Sequence, residues 1–184
     1  MSGRQRMATL SVLLFILPLA GCGTPEGVRT FEHAAFTFSI PPGWKTLEEI
    51  WKRPASSGEY YGLGVQSLVT IQYPPVQGQG RAFFAVASSP LSEGQDLQSR
   101  FTQAYRAIGP EIQDASTRPI QWDNFSGYEA TYARAWGESW WRFRDIWLEK
   151  DGVIYVLSFH ASPESFATYA DTFEQISASF RFKD

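Results

Sequence analysis

Sulfur and imidazole are scarce in this sequence. Its 184 residues hold one cysteine, Cys22, two methionines, Met1 and Met7, and two histidines, His33 and His160. A single thiol cannot close an internal disulfide, and so few soft ligands leave no basis for a copper, iron–sulfur or zinc centre, so no metal and no cofactor is expected. Charge of one sign is lacking too: 16 Lys and Arg face 19 Asp and Glu, for a formal net charge of −3. No basic run is long enough to grip a nucleic-acid backbone, which excludes nucleic acid as a partner. A phosphate-cradling loop is missing as well, because Gly62 and Gly64 form a bare G-x-G with no third glycine and no helical pattern after it. Internal repeats at a fixed period are absent. With 43% hydrophobic residues and only 19% charged, however, the chain can bury a core, and its length suits one domain.

Arg4 and Arg6 precede an apolar stretch from Leu10 to Leu19, which is too short to span a bilayer comfortably and has the pattern of a secretory signal. Leu19, Ala20, Gly21 and Cys22 then match the lipobox of bacterial lipoproteins, in which the cysteine is diacylated and the signal is cut at its amino side. That chemistry gives the lone cysteine a job. The expected organisation is a lipoprotein signal peptide at 1–21, a lipidated tether at 22–30 and a folded domain at 31–184. Cleavage takes away Arg4, Arg6 and both methionines, so the mature chain is two charges more negative and has no free thiol. It is expected outside the cytoplasm, anchored to a bacterial membrane by Cys22.

Within the domain, Phe36, Phe38 and Ile40 alternate with Thr37 and Ser39 as in a half-buried strand, which Pro41, Pro42 and Gly43 stop. Trp44 restarts the chain and is expected to fold back as a structural plug over the sheet. Val65 to Tyr73 and Ala82 to Ser88 read as strands around a turn rich in Pro and Gly. Leu97, Phe101, Ala104, Tyr105 and Ile108 form a helical stripe that Gly109 and Pro110 end. Tyr128, Ala130 and Tyr132 alternate, and two apolar-rich runs, Trp140 to Glu149 and Val153 to His160, meet at an Asp151-Gly152 turn suited to a two-residue hairpin. Ser162, Pro163 and Glu164 then look like the start of a second helix, carrying Phe166, Tyr169, Ala170, Phe173 and Ile176 inward. Phe180 and Phe182 close the chain in extended form. Meandering strands with two amphipathic helices predict an α+β domain, an antiparallel sheet with helices packed on it.

The opening Phe36, Thr37, Phe38, Ser39, Ile40, Pro41, Pro42, Gly43, Trp44 resembles the F-x-F-x-x-P-x-G-W start of the PsbP-like family. The ending, a hairpin through Gly152 to Leu157, a helix, and then Ser177 to Phe182, is similar to that family as well. The resemblance implies an antiparallel sheet sandwiched by helices (α/β/α) and a non-enzymatic protein that docks on a membrane complex. It carries over no ligand residues.

Pairing Lys150 with Val153 across the Asp-Gly turn places Asp145 opposite Ser158, Phe143 opposite His160 and Trp147 opposite Val156, so Asp145, Ser158 and His160 share a face. Those are the residue types of a nucleophilic hydrolase. A mid-strand serine nevertheless has its amide tied into the ladder and lacks the exposed turn and oxyanion hole that acyl transfer requires, so a satisfied polar pocket is the reading adopted and no catalytic residue is assigned. Between Trp122 and Trp147 the chain crowds aromatic and Arg residues. Trp141 and Trp147 are expected in the core. Trp136 and Trp140, which flank an expected hairpin tip at Gly137, Glu138 and Ser139, are candidate contacts with a partner or ligand, together with Arg134, Arg142 and Arg144. A protein partner in the envelope is expected alongside the membrane itself, and a small-ligand carrier using the Trp/Arg-rich face is the alternative. Asn124 opens an N-x-S sequon of little use in a bacterium. Glu48 and Glu49 read as a solvated acidic pair.

Overall fold

A computed structural model describes residues 27–52, 60, 62–74, 76–77 and 81–184; the signal, the lipobox and Cys22 lie outside the described residues. Its elements in chain order are β1 (Arg29–Glu32), β2 (Phe36–Ile40), β3 (Lys45–Thr46), α1 (Leu47–Trp51), β4 (Gln66–Tyr73), β5 (Ala82–Pro90), α2 (Leu97–Ile108), β6 (Ile112–Trp122), β7 (Phe125–Trp136), β8 (Ser139–Lys150), β9 (Val153–Ala161), α3 (Pro163–Phe166), α4 (Ala170–Ser179) and β10 (Arg181–Phe182).

The Asp-Gly arithmetic holds. Asp151 and Gly152 adopt φ of +54° and +74°, and the β8–β9 register pairs Lys150 with Val153, Asp145 with Ser158, Phe143 with His160 and Trp147 with Val156. This hairpin lies in a seven-stranded antiparallel sheet of order β3-β4-β5-β9-β8-β7-β6, while β1, β2 and β10 form a separate three-stranded sheet. Helix α2 has the bounds its stripe predicts. Asp96 caps it by accepting a hydrogen bond from the Ser99 amide at 2.7 Å, and Leu97, Phe101, Ala104 and Ile108 are buried. They join Tyr132, Phe143, Trp147 and Val156 in one core on that side of the large sheet.

The opposite side buries Phe84, Ile146, Leu157 and Phe159 under Phe36, Phe38, Phe173 and Phe180. The α+β architecture is therefore as expected, with one refinement: on this side a small sheet shares the covering layer with α3 and α4. The second helical stripe is also broken. Chain between Phe166 and Ala170 leaves the helix, and the Tyr169 ring meets Trp44 and Tyr73 at 6.2 and 5.7 Å. Ser162 precedes α3 as expected, but its hydroxyl makes no capping bond.

Trp44 is the plug the sequence suggests, only 3% exposed and stacked on Tyr73 at 6.0 Å. The turn before it needs glycine, because Gly43 sits at φ +78° and a Cβ there would meet the Tyr73 ring at 3.0 Å. Trp44→Ala should lower the unfolding free energy by about 3 kcal/mol, read as a shift of the urea midpoint at constant slope.

Three segments differ from expectation. Strand β1 begins at Arg29, inside the stretch read as tether, and the Arg29 guanidinium donates to the Trp44 carbonyl at 2.9 Å. Glu49 is more than a solvated acid: it closes a capping box with Thr46 and pairs with Arg29, which together hold its carboxyl below the usual range, chiefly through the Arg29 hydrogen bond. Strand β6 carries almost no apolar alternation and holds Pro119, features tolerated at a sheet edge.

Candidate functional site

Strands β7 and β8 join at Gly137 and Glu138, with Trp136 paired to Ser139 and Gly137 at φ +61°. At this tip Trp136 and Trp140 are 43% and 42% exposed. A large ring left in water is the exception worth explaining, because the other rings of both strands are buried or half-buried. The pairing of Arg134 with Trp141 puts Arg134 and Trp136 on the α2 side of the sheet, whereas Trp140, Arg142 and Arg144 alternate onto the other side. The five residues therefore do not make one face. Trp136, Trp140, Arg134 and Arg142 share an end of the sheet instead, and Arg144 lies at mid-strand.

The three arginines also differ in what they touch. Arg144 donates to Glu129 from Nε and Nη2 at 3.0 and 2.8 Å, pairs with Glu174, and lies over the Phe173 ring at 5.0 Å. Glu129 in turn holds Arg118 at 2.8 Å. Arg144 is thus spent on an ion network that fastens α4 to the sheet. Arg134 pairs with Glu111 in the turn after α2. Arg142 is more than half exposed, at 3.9 Å from the Asp114 carboxylate, and is the one of the three that faces solvent beside an exposed tryptophan.

Behind Trp136 the strands lay a row of rings in register across the sheet. Tyr132 stacks on Phe143 at 5.0 Å, Phe143 on His160 at 5.0 Å, and His160 on Phe83 at 4.8 Å, following the pairings of β7, β8, β9 and β5. Trp136 and Trp141, 5.2 Å apart, pack against Phe83 and the imidazole edge and cover the row. Trp147 is fully buried as expected; Trp141 is only partly so.

One row further in lies the Asp145–Ser158 pair, which with His160 makes up the polar cluster. Asp145, Ser158 and His160 are all completely buried. Ser158 donates to one carboxylate oxygen of Asp145, and the Tyr105 and Tyr132 hydroxyls donate to the other at 2.6 and 2.9 Å. The Trp147 indole N–H donates to Tyr105 at 3.1 Å, which ties α2 into the network. His160 presents Nδ1 to the Tyr60 hydroxyl at 3.2 Å, and none of the hydrogen bonds to Asp145 comes from the imidazole. Burial raises the Asp145 carboxyl above its usual range, with the three hydroxyls pulling the other way. Burial also raises both tyrosines far above 10, reinforced by the Asp145 charge, and lowers His160 to about 3.

A general base must reach the proton it takes, and a nucleophile must reach substrate. Here the serine proton points at the aspartate, the imidazole turns to a tyrosine, and all three are sealed under rings. The geometry is that of a satisfied polar pocket. Tyr105 and Tyr60 complete it. The sequence offers no sign of their part, because it depends on how α2 and Tyr60 dock on the sheet. Among the described residues no group of three His, Cys, Asp or Glu side chains is placed to share a metal, and no helix is long and apolar enough to cross a membrane.

No protein-family model matches the sequence, and no curated protein does. Solved structures are similar in fold. Cyanobacterial PsbP (CyanoP) from Synechocystis sp. PCC 6803 superposes with a TM-score of 0.60 at 15% identity, covering 90% of this chain and 99% of that one. LpqN, involved in cell envelope biogenesis of Mycobacterium tuberculosis, gives a TM-score of 0.59 at 14% identity over 85% of this chain and 91% of its own. A Pseudomonas aeruginosa protein of unknown function gives 0.52 at 8% identity over 80% and 92%. Identities this low carry architecture alone, and the architecture agrees with the motifs at the two ends of the domain: this chain has the PsbP-like fold.

Proposed function

We propose that this chain is a non-enzymatic accessory module, held on the outer side of a bacterial membrane by a lipid on Cys22, that docks on the membrane or an envelope complex through the aromatic end of its sheet. The observation that carries the proposal is the exposure of Trp136 and Trp140 at a hairpin tip, in a protein whose Asp145, Ser158 and His160 are fully buried. The likeness in fold to CyanoP and to LpqN, the latter described as involved in cell envelope biogenesis, supports the same reading. An open cleft of about 680 Å³ lies at the opposite end of the sheet, between Asp96, Pro119, Asn124, Tyr128 and Glu149, and none of the five Trp and Arg candidates lines it.

The proposal is tested by replacing Trp140 with a photo-crosslinking amino acid in cells. The tip position should capture a component of the membrane fraction, lipid or protein, and the same probe at Gln98 on α2 should capture none. Equal yields from both positions, or recovery of the protein always alone, would remove the tip from the account.

A further inference from the structure

The entry point of the chain and the exposed tryptophans lie at the same end of the molecule. Arg29 pairs with Ile40 and donates to the Trp44 carbonyl, Trp44 stacks on Tyr73, and Tyr73 begins a run of neighbours across the strand ends: Ala82, Ala161 and Arg142. Three strand spacings, about 14 Å, separate Tyr73 from Arg142, and Trp140 and Trp136 project just beyond. Val76 follows β4 at this end as well. Among the described residues the exposed large hydrophobic side chains are Val28, Trp51, Val76, Trp136 and Trp140, and all but Trp51 gather here.

Covalent geometry then limits the orientation. Five residues lie between Cys22 and Val28, a reach of at most about 20 Å over the six Cα steps, while a body of this size is about 40 Å across. A lipid at Cys22 holds this end, and not the one with the Asp123-Asn124 and Asp151-Gly152 turns, against the bilayer. Indole is the side chain best suited to that depth, with an apolar body for the acyl boundary and an N–H for the headgroups. Arg142, exposed on the same side of β8 as Trp140, adds a donor fork for phosphate.

We infer that Trp136 and Trp140 seat in the headgroup region of the bilayer that holds the Cys22 lipid, so that the domain is attached at two points with a fixed orientation. The inference rests on the lipidation proposed above and names the membrane itself as what the tip contacts. The diacylated cysteine supplies stable residence by itself; what the second point of attachment adds is a fixed orientation of the domain.

The test uses the full-length, lipid-modified protein in protein-free vesicles of phosphatidylcholine and phosphatidylglycerol, with and without bromine on the acyl chains near the carbonyl. Two of the seven tryptophans sit in the tip, so bromination should quench roughly two sevenths of the emission if both rings reach the interface. The Trp136→Ser/Trp140→Ser variant should lose that quenching while still floating with the vesicles. Trp140→Ser alone should lose about half of it, which keeps the test readable if the double variant fails to fold. Protein that floats unquenched, or a variant quenched as strongly as the parent, overturns the inference and leaves the lipid anchor standing. Protein that carries no fatty acid and does not float overturns both. A tip that crosslinks to a protein in native membranes but is unquenched in vesicles is a protein-binding surface, and that too overturns the inference.

Discussion

Replacing Asp145 by alanine should lower the free energy of unfolding by about 5 kcal/mol, enough to unfold a domain of ordinary stability. The carboxylate accepts three hydroxyl hydrogen bonds in a completely buried site, and its removal leaves Ser158, Tyr105 and Tyr132 to find other partners, at about 1 to 3 kcal/mol for each that does not. It also opens a cavity beneath α2. Asp145→Asn retains the shape and one acceptor, and hydroxyls can turn to accept from its amide, so its loss should be about 1 to 2 kcal/mol. Urea unfolding of the two variants checks this. Equal, small losses would mean that the cluster is not what joins α2 to the sheet.

The second large effect appears in acid. His160 has a folded pKa of about 3 against an ordinary value of 6.5, because burial disfavours the imidazolium. A base depressed in this way contributes stability that is complete above pH 6.5 and is lost as the pH falls toward 3, since the unfolded chain takes up the proton first. At pH 4 the loss from this residue alone is about 3 kcal/mol. Asp145 works in the opposite sense. Its raised folded pKa makes its contribution largest below 3.8 and lost as the pH climbs through the folded value, so it offsets part of the histidine effect. His160→Phe retains a ring between Phe143 and Phe83 and removes the titration. Its decline from pH 7 to pH 4, measured by urea unfolding, should be smaller than the parent's by about 3 kcal/mol; parallel declines would show that the imidazole is hydrated in the native state.

The parts of the fold legible in sequence are those where local chemistry decides geometry. Asp151-Gly152 admits one tight turn, and from it the pairing of Asp145 with Ser158 and of Phe143 with His160 follows by counting. The α2 stripe is equally local. The Gly137-Glu138 turn carries the same information for the candidate site, since pairing Trp136 with Ser139 separates Arg134 and Trp136 from Trp140, Arg142 and Arg144. The five therefore do not share a face: four lie at an end of the sheet and Arg144 at mid-strand, and the ion pairs that occupy Arg134 and Arg144 come from α2's following turn and from α4, elements whose docking no local pattern reports. The edge strand β6 escaped for a related reason: Ser116, Thr117 and Arg118 face water and Pro119 reads as a breaker. The break before Tyr169 depends on Trp44, more than a hundred residues away.

The proposed orientation and the exposure of the tip gain their meaning from the proposed attachment at Cys22. The most direct measurement is metabolic labelling with a radioactive fatty acid, followed by separation of membranes, for the parent and Cys22→Ser. Label on the parent alone, with the variant retained as an uncleaved precursor or released to the soluble fraction in mature form, is the predicted result. An unlabelled parent, together with a Cys22→Ser protein processed and membrane-bound to the same extent, would contradict the account.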